Sequence, residues 1–232
     1  AMSLAATAQA DVSQETIQAL GAPDRVETSI GTLEFKDGAP TAETAQKVFD
    51  ALTFTNALNV YNNSFRGASA LGFHRGFQSI GADYNDVVIT SELLDSAGIF
   101  LTGNADTVYY LSVIDLSKGP MVIEQPSDGV GTINDMWFSW IIDVGGPGPD
   151  RGRGGKYLIV PPGYKGAEPE GYFIVRPPTY NNLMFLRGSI AKGLEPAAEN
   201  ITSHLRVYPL KDAADPAATE FVNMSNKTVN TV

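Results

Sequence analysis

Val108-Tyr-Tyr-Leu-Ser-Val-Ile114 alternates along its length, Asp115-Leu-Ser-Lys-Gly-Pro120 breaks it with turn-forming residues, and Met121-Val-Ile-Glu124 resumes it. A period of two interrupted by Asp, Gly and Pro reads as two strands and a turn, and predicts a β-hairpin. The same rhythm starts near Val87 and recurs at residues 132–143, 156–160, 172–176, 182–187 and 205–210. Pro161-Pro162-Gly163 and Pro177-Pro178 stop two of these runs, because proline has no N–H to give to a ladder.

On the N-terminal side the period lengthens. Thr41 can cap a helix, Glu43 suits its first turn, and Ala45, Val48, Phe49 and Leu52 recur at helical spacing, placing one apolar stripe on the core. The pattern runs on through Ala57, Leu58, Tyr61 and Phe65, and a second, shorter helix carries Leu71, His74 and Phe77 and ends near Gly81. Residues 11–40, punctuated by Gly21, Pro23, Gly31, Gly38 and Pro40, read as an N-terminal arm with one helical turn. Residues 211–232 are small and polar and read as a linker toward a missing second module. The fold expected over residues 41–210 is α+β and mainly β: an antiparallel β-sandwich of jelly-roll character with an N-terminal helical segment.

Composition sets the outer bounds. In 232 residues, 43% are hydrophobic and 18% charged, with 23 Gly and 14 Pro, enough apolar material for one large core and enough breakers for many short strands. The net charge of −10 repels phosphate backbones, which argues against nucleic acid as a partner. No apolar run approaches 18 residues, so no membrane span is expected. Ala8-Gln9-Ala10, ahead of the polar Asp11, fits the small-x-small pattern cut by a signal peptidase; residues 1–10 then read as a signal-peptide tail or a tag, and the expected location is periplasmic or secreted.

Three stretches in combination carry a resemblance: Asn104-Ala-Asp-Thr-Val-Tyr109 with Asp115-Leu-Ser-Lys-Gly-Pro120; Asp143-Val-Gly-Gly-Pro-Gly-Pro-Asp150 leading to Gly154-Gly-Lys-Tyr157; and Pro161-Pro-Gly-Tyr164 with Gly171-Tyr172. Over roughly residues 40–230 the chain resembles the bacterial family known as domain of unknown function 1254. That resemblance implies a β-sandwich first half of an exported protein that continues, through a stretch like Phe221-Val-Asn-Met-Ser225, into a second module, domain of unknown function 1214. It implies no reaction and no catalytic residue.

The residues themselves narrow the chemistry. With only two histidines, His74 and His204, and no His-Glu-x-x-His pattern, a two- or three-His zinc site is not expected; there is no cysteine nucleophile, and no Gly-x-Ser-x-Gly presents a serine. No cofactor or metal is expected. Gly145 to Gly155 is glycine-rich, but Gly155-Lys156 has Asp150 where a phosphate loop needs its first glycine and Tyr157 where it needs Ser or Thr. The segment reads as a surface loop in which Asp150 and Arg151 pair locally or reach a ligand.

If residues 132–143 form one strand, Met136, Phe138, Trp140 and Ile142 share a core face, while Asp135, Trp137, Ser139 and Asp143 share the other. An aromatic ring among carboxylates and a hydroxyl suits a small polar ligand such as a sugar; the alternative is a face covered by the N-terminal helices. On that strand Asp135 and Asp143 lie about 26 Å apart, too far for a glycosidase pair at ~5–9.5 Å. Asp106, just before one strand, and Asp143, at the end of another, are then the catalytic candidates, although Asn104-Ala-Asp-Thr can instead bond locally to set the strand entry. Asn104, Tyr109, Asp135, Trp137, Ser139 and Arg151 are the candidate ligand contacts. Two functions follow: a ligand-binding or structural first module, or a hydrolase of a saccharide or other polar envelope compound working through carboxylates.

Overall fold

A computed structural model of the protein describes residues 13, 15–17, 21, 23–100 and 103–232; the signal-like run at residues 8–10 lies outside them. The chain divides into two compact units, residues 1–63 and 64–232.

In the first unit the expected arm is a small antiparallel sheet, β1 (Arg25–Thr28), β2 (Gly31–Lys36) and β3 (Ala39–Pro40). Asp37-Gly38, with φ of 52° and 77°, forms the two-residue turn between β2 and β3; both residues need positive φ, which Asp tolerates and Gly adopts without strain. The helix α1 (Ala42–Ser79) begins where expected, with Thr41 Oγ1 accepting the Thr44 N–H at 3.2 Å. Its first turns hold β2: the Glu34 N–H donates to Thr44 Oγ1 at 2.7 Å, and Lys47 Nζ donates to the Thr32 carbonyl at 3.2 Å.

Two expectations about α1 are corrected. It is one unbroken helix of 38 residues rather than two. The expected core stripe is also solvent-facing: Phe49, Leu52, Leu58, Tyr61 and Phe65 are all exposed, as are Phe54 and Val60. No charged residue interrupts residues 51–65, so apolar groups surround this part of the helix instead of marking one face, and periodicity cannot choose a buried side.

The second unit is a mixed sandwich. One sheet has the order β14-β4-β6-β12-β8-β9 and the other β11-β10-β7-β13, formed by β4 (Val87–Ile89), β6 (Val108–Asp115), β7 (Met121–Gln125), β8 (Gly129–Asp135), β9 (Trp140–Gly145), β10 (Gly155–Ile159), β11 (Phe173–Val175), β12 (Asn181–Gly188), β13 (Arg206–Pro209) and β14 (Phe221–Asn223). Both sheets are antiparallel except for one parallel edge pair each, β10–β11 and β4–β14. A jelly roll has eight strands in two Greek keys, and this strand count and order differ from it.

Alternation on β6 shows how the layers join. Tyr110 and Ile114 point into the core shared with Ile123, Tyr157 and Ile159 of the other sheet, while Leu111 and Val113 pack with Phe73 and Phe77 of α1. Both faces of β6 are therefore dry. The outer face of the smaller sheet is covered by Tyr164, Tyr172 and Leu210 over Val122, Leu158 and Tyr208.

The hairpin expected between β6 and β7 does not form: β6 pairs with β4 and β12, whereas β7 pairs with β10 and β13. Asp115 receives the Ser117 N–H and hydroxyl, and the turn it organises carries the chain across to the opposite sheet. Residues 211–232, expected as a linker, are part of the fold. They add β14 beside β4 and β15 (Val229–Asn230) beside β5 (Gly98–Ile99), and bury Met224 and Val229. The signal lay in α1: Gly72 and Gly76 leave room for the tail, since a Cβ at Gly76 would lie 2.6 Å from the Asn230 carbonyl oxygen.

Candidate functional site

The run 132–143 is not one strand. It folds back at residues 136–139, so β8 and β9 form a hairpin with Asn134 opposite Trp140. Asp135 holds the turn. It is buried; its Oδ1 accepts the N–H groups of Trp137 and Ser139 at 2.8 and 2.9 Å, and its own N–H donates to the Ser139 carbonyl. Phe138 sits at φ 57°, a left-handed position rare for an aromatic residue. Asn134-Asp135, two turn formers within an alternating run, was the available sequence signal.

This turn overturns the expected faces. Trp140 is 63% exposed, with its Nε1–H donating to Asp143 Oδ1 at 3.1 Å, and is not a core residue. Trp137, 45% exposed, lies against Gly67 of α1, where a Cβ would come within 2.9 Å of its ring. Ser139 is exposed, and its N–H serves the turn. Trp137 thus touches the helix while nearly half of it stays exposed.

Beside Trp137 the turn creates a cleft. Phe138, Phe73 of α1 and Phe185 of β12 form a triangle of rings, with Phe73 and Phe185 edge to face at 4.8 Å and Phe138 at 5.9 and 6.1 Å from them. Phe65 stands at the mouth, and Arg66, Ser69 and Asn134 supply its polar groups. The cavity measures about 440 Å³. Among the described residues the Arg66 guanidinium has no ion pair. An aromatic pocket with one free cation and two neutral polar groups at its edge can take an apolar body that ends in an anion.

The remaining candidates lie elsewhere. Asn104 Oδ1 accepts the Asp106 N–H at 3.3 Å and the Thr107 hydroxyl at 2.9 Å, the Asn104 N–H donates to the Tyr109 hydroxyl at 3.2 Å, and the Tyr109 N–H donates to Thr90 Oγ1 at 2.7 Å. These bonds set the entry to β6. Asp106 is exposed at that entry. Asp106 precedes β6 and Asp143 lies on β9, with β12 and β8 between those two strands in the sheet.

The loop between β9 and β10 is built around Asp150. Asp150 is buried and accepts the Gly145 N–H at 2.8 Å, the Gly154 N–H at 3.2 Å and the Tyr157 hydroxyl at 2.6 Å. Burial and the neighbouring Asp150 carboxylate both push the Tyr157 hydroxyl pKa well above its usual value. Arg151, exposed at φ 52°, is displayed by the loop and does not pair with Asp150. Among the described residues no group of three or more His, Asp or Glu side chains is placed to hold a metal ion, and no helix is long and apolar enough to cross a membrane.

No curated protein matches the chain. The crystal structure of the VPA0106 protein from Vibrio parahaemolyticus is similar, with a TM-score of 0.52 at 14% identity over 68% of this chain and 39% of that one, which establishes a shared fold. The chain spans about two-fifths of that protein. A family model described as "Protein of unknown function (DUF1254)" matches residues 84–209, from the loop before β4 to the end of β13. With more than half of its length matched, including the β8–β9 turn and β12 at the cleft, the chain belongs to the DUF1254 family.

Proposed function

We propose that this chain is the ligand-binding first module of a longer exported protein, and that its ligand is a small amphipathic carboxylate. The observation that carries the reading is the cleft of Phe73, Phe138 and Phe185 with Arg66 at its edge. The rings receive the apolar body. Arg66 receives the carboxylate, a planar acceptor that a guanidinium can bind through two parallel N–H groups. A partner module is supported by α1, where Phe49, Leu52, Phe54, Leu58, Val60 and Tyr61 expose an uncharged apolar surface of the kind that marks a protein contact.

Calorimetric titration with decanoate and decanol tests the ligand class. Decanoate is expected to bind at least tenfold tighter than decanol, and Arg66→Gln to remove most of that difference, since a hydrogen bond to a charged group contributes about 1.5–3 kcal/mol. Equal affinity for the two probes, unchanged in Arg66→Gln, would rule the reading out.

A further inference from the structure

A second cavity of about 480 Å³ lies at the other end of the sandwich, between the end of β7, the start of β10 and α2 (Leu194–His204). Its groups are polar and only partly committed. Lys156 Nζ pairs with Glu124 Oε1 at 2.8 Å, and Tyr208 also donates its hydroxyl to that oxygen. Burial pushes the Glu124 carboxyl up, but the hydrogen bonds from Lys156 and Tyr208 outweigh it and hold the group ionised below its usual range. Lys156 and Glu124 therefore cancel, while Arg206 of β13, in register opposite Glu124, adds its charge beside that carboxylate from outside the lining. Arg153 remains: its Nε meets the Asp150 carbonyl at 3.5 Å, and its terminal nitrogens have no partner among the described residues.

The uncharged groups are left with capacity on the same side. His204 Nδ1 lies 2.9 Å from the Asn200 carbonyl, which can only accept, so Nδ1 carries a proton, and in that tautomer of the neutral ring Nε2 is an acceptor. Asn200 Nδ2 donates to the Ser127 carbonyl at 2.9 Å and keeps its amide oxygen.

We infer that this groove is a second binding site, for a hydroxylated monocarboxylate of the sugar-acid class. The uncommitted Arg153 guanidinium matches a carboxylate, and acceptors at His204 and Asn200 match hydroxyl donors. A phosphate, with nearly two charges, would face the Glu124 carboxylate with Arg153 as the one uncommitted cation among the lining residues. Nothing in this site uses the phenylalanine cleft.

The test is NMR titration of the 232-residue protein with glucuronate, glucose and glucose 6-phosphate. Glucuronate is expected to saturate, to bind at least tenfold tighter than either other probe, and to weaken at least tenfold in Arg153→Gln. Arg66→Gln, a change at the cleft, leaves it unaltered. Because Arg153 is largely solvated, Arg153→Gln and Arg153→Lys should both keep the wild-type spectrum away from the groove, and Arg153→Lys should restore part of the affinity. No saturation by glucuronate, binding equal to that of glucose, tighter binding of glucose 6-phosphate, or indifference to Arg153→Gln would each overturn the inference.

Discussion

Asp106 and Asp150 lie in equally recognisable stretches of sequence, yet the fold uses them in opposite ways. Asp150 is buried beneath two backbone N–H groups and a tyrosine hydroxyl, while Asp106 stands in solvent at a strand entry set by Asn104. Asp150→Ala leaves three donors without an acceptor and is expected to cost about 3 kcal/mol or more, whereas Asp106→Ala should change stability by about 0.5 kcal/mol or less. Urea denaturation of both variants checks the contrast. His74 provides a second prediction. It is buried with Nδ1 unpartnered and stacked on Tyr84 at 4.1 Å; burial holds its imidazole below the usual pKa, with Asp83 opposing weakly. The unfolded chain therefore takes up the proton first, at about pH 6.5. Stability is fully present above that pH and declines as pH falls below it, until the folded state is protonated too. Urea midpoints at pH 7.5 and 5.5 should fall further in the wild type than in His74→Phe, in which the ionisable ring is gone.

At the scale of elements, strands were legible and their partners were not. The alternation of β6, the proline stops after β10 and β11, and the cap at Thr41 each follow from local chemistry. Which strand lies beside which depends on contacts far apart in sequence, and so the turn at Asp115 led to the other sheet rather than back along β6. The cleft was half legible: Trp137 and Asp135 pointed to the right segment, but its turn hid Phe138, and Phe73, Phe185 and Arg66 come from distant elements. Two substitutions test this arrangement. Trp140→Ala should cost less than about 1 kcal/mol, because the ring is mostly solvated, while Phe73→Ala, at the centre of four ring contacts, should cost about 3–5 kcal/mol. Gly76→Ala decides whether residues 229–231 pack on α1. Propensity alone would make it stabilising by about 1 kcal/mol, but the new methyl would meet the Asn230 carbonyl, and a net loss of about 1–3 kcal/mol is expected. Thermal denaturation reads the sign directly.

For the whole molecule, one binding cleft and one exposed helical surface suggest a division of labour. On the proposed reading, residues 64–232 hold the ligand and the uncharged surface of α1 meets a partner. Export belongs to the same account: N-terminal sequencing of protein recovered from the native envelope fraction is expected to begin at or near Asp11, and an intact start upstream would count against it. The central claim, that the phenylalanine cleft takes an amphipathic carboxylate, has a direct reporter in Trp137, which lies on Gly67 beside the cleft. In Trp140→Phe, Trp137 is the single tryptophan, and its fluorescence can be followed as decanoate is added. The account predicts a saturable change that requires Arg66 and is lost or weakened at least tenfold in Arg66→Gln; a signal that stays flat, or that changes identically in Arg66→Gln, would contradict it.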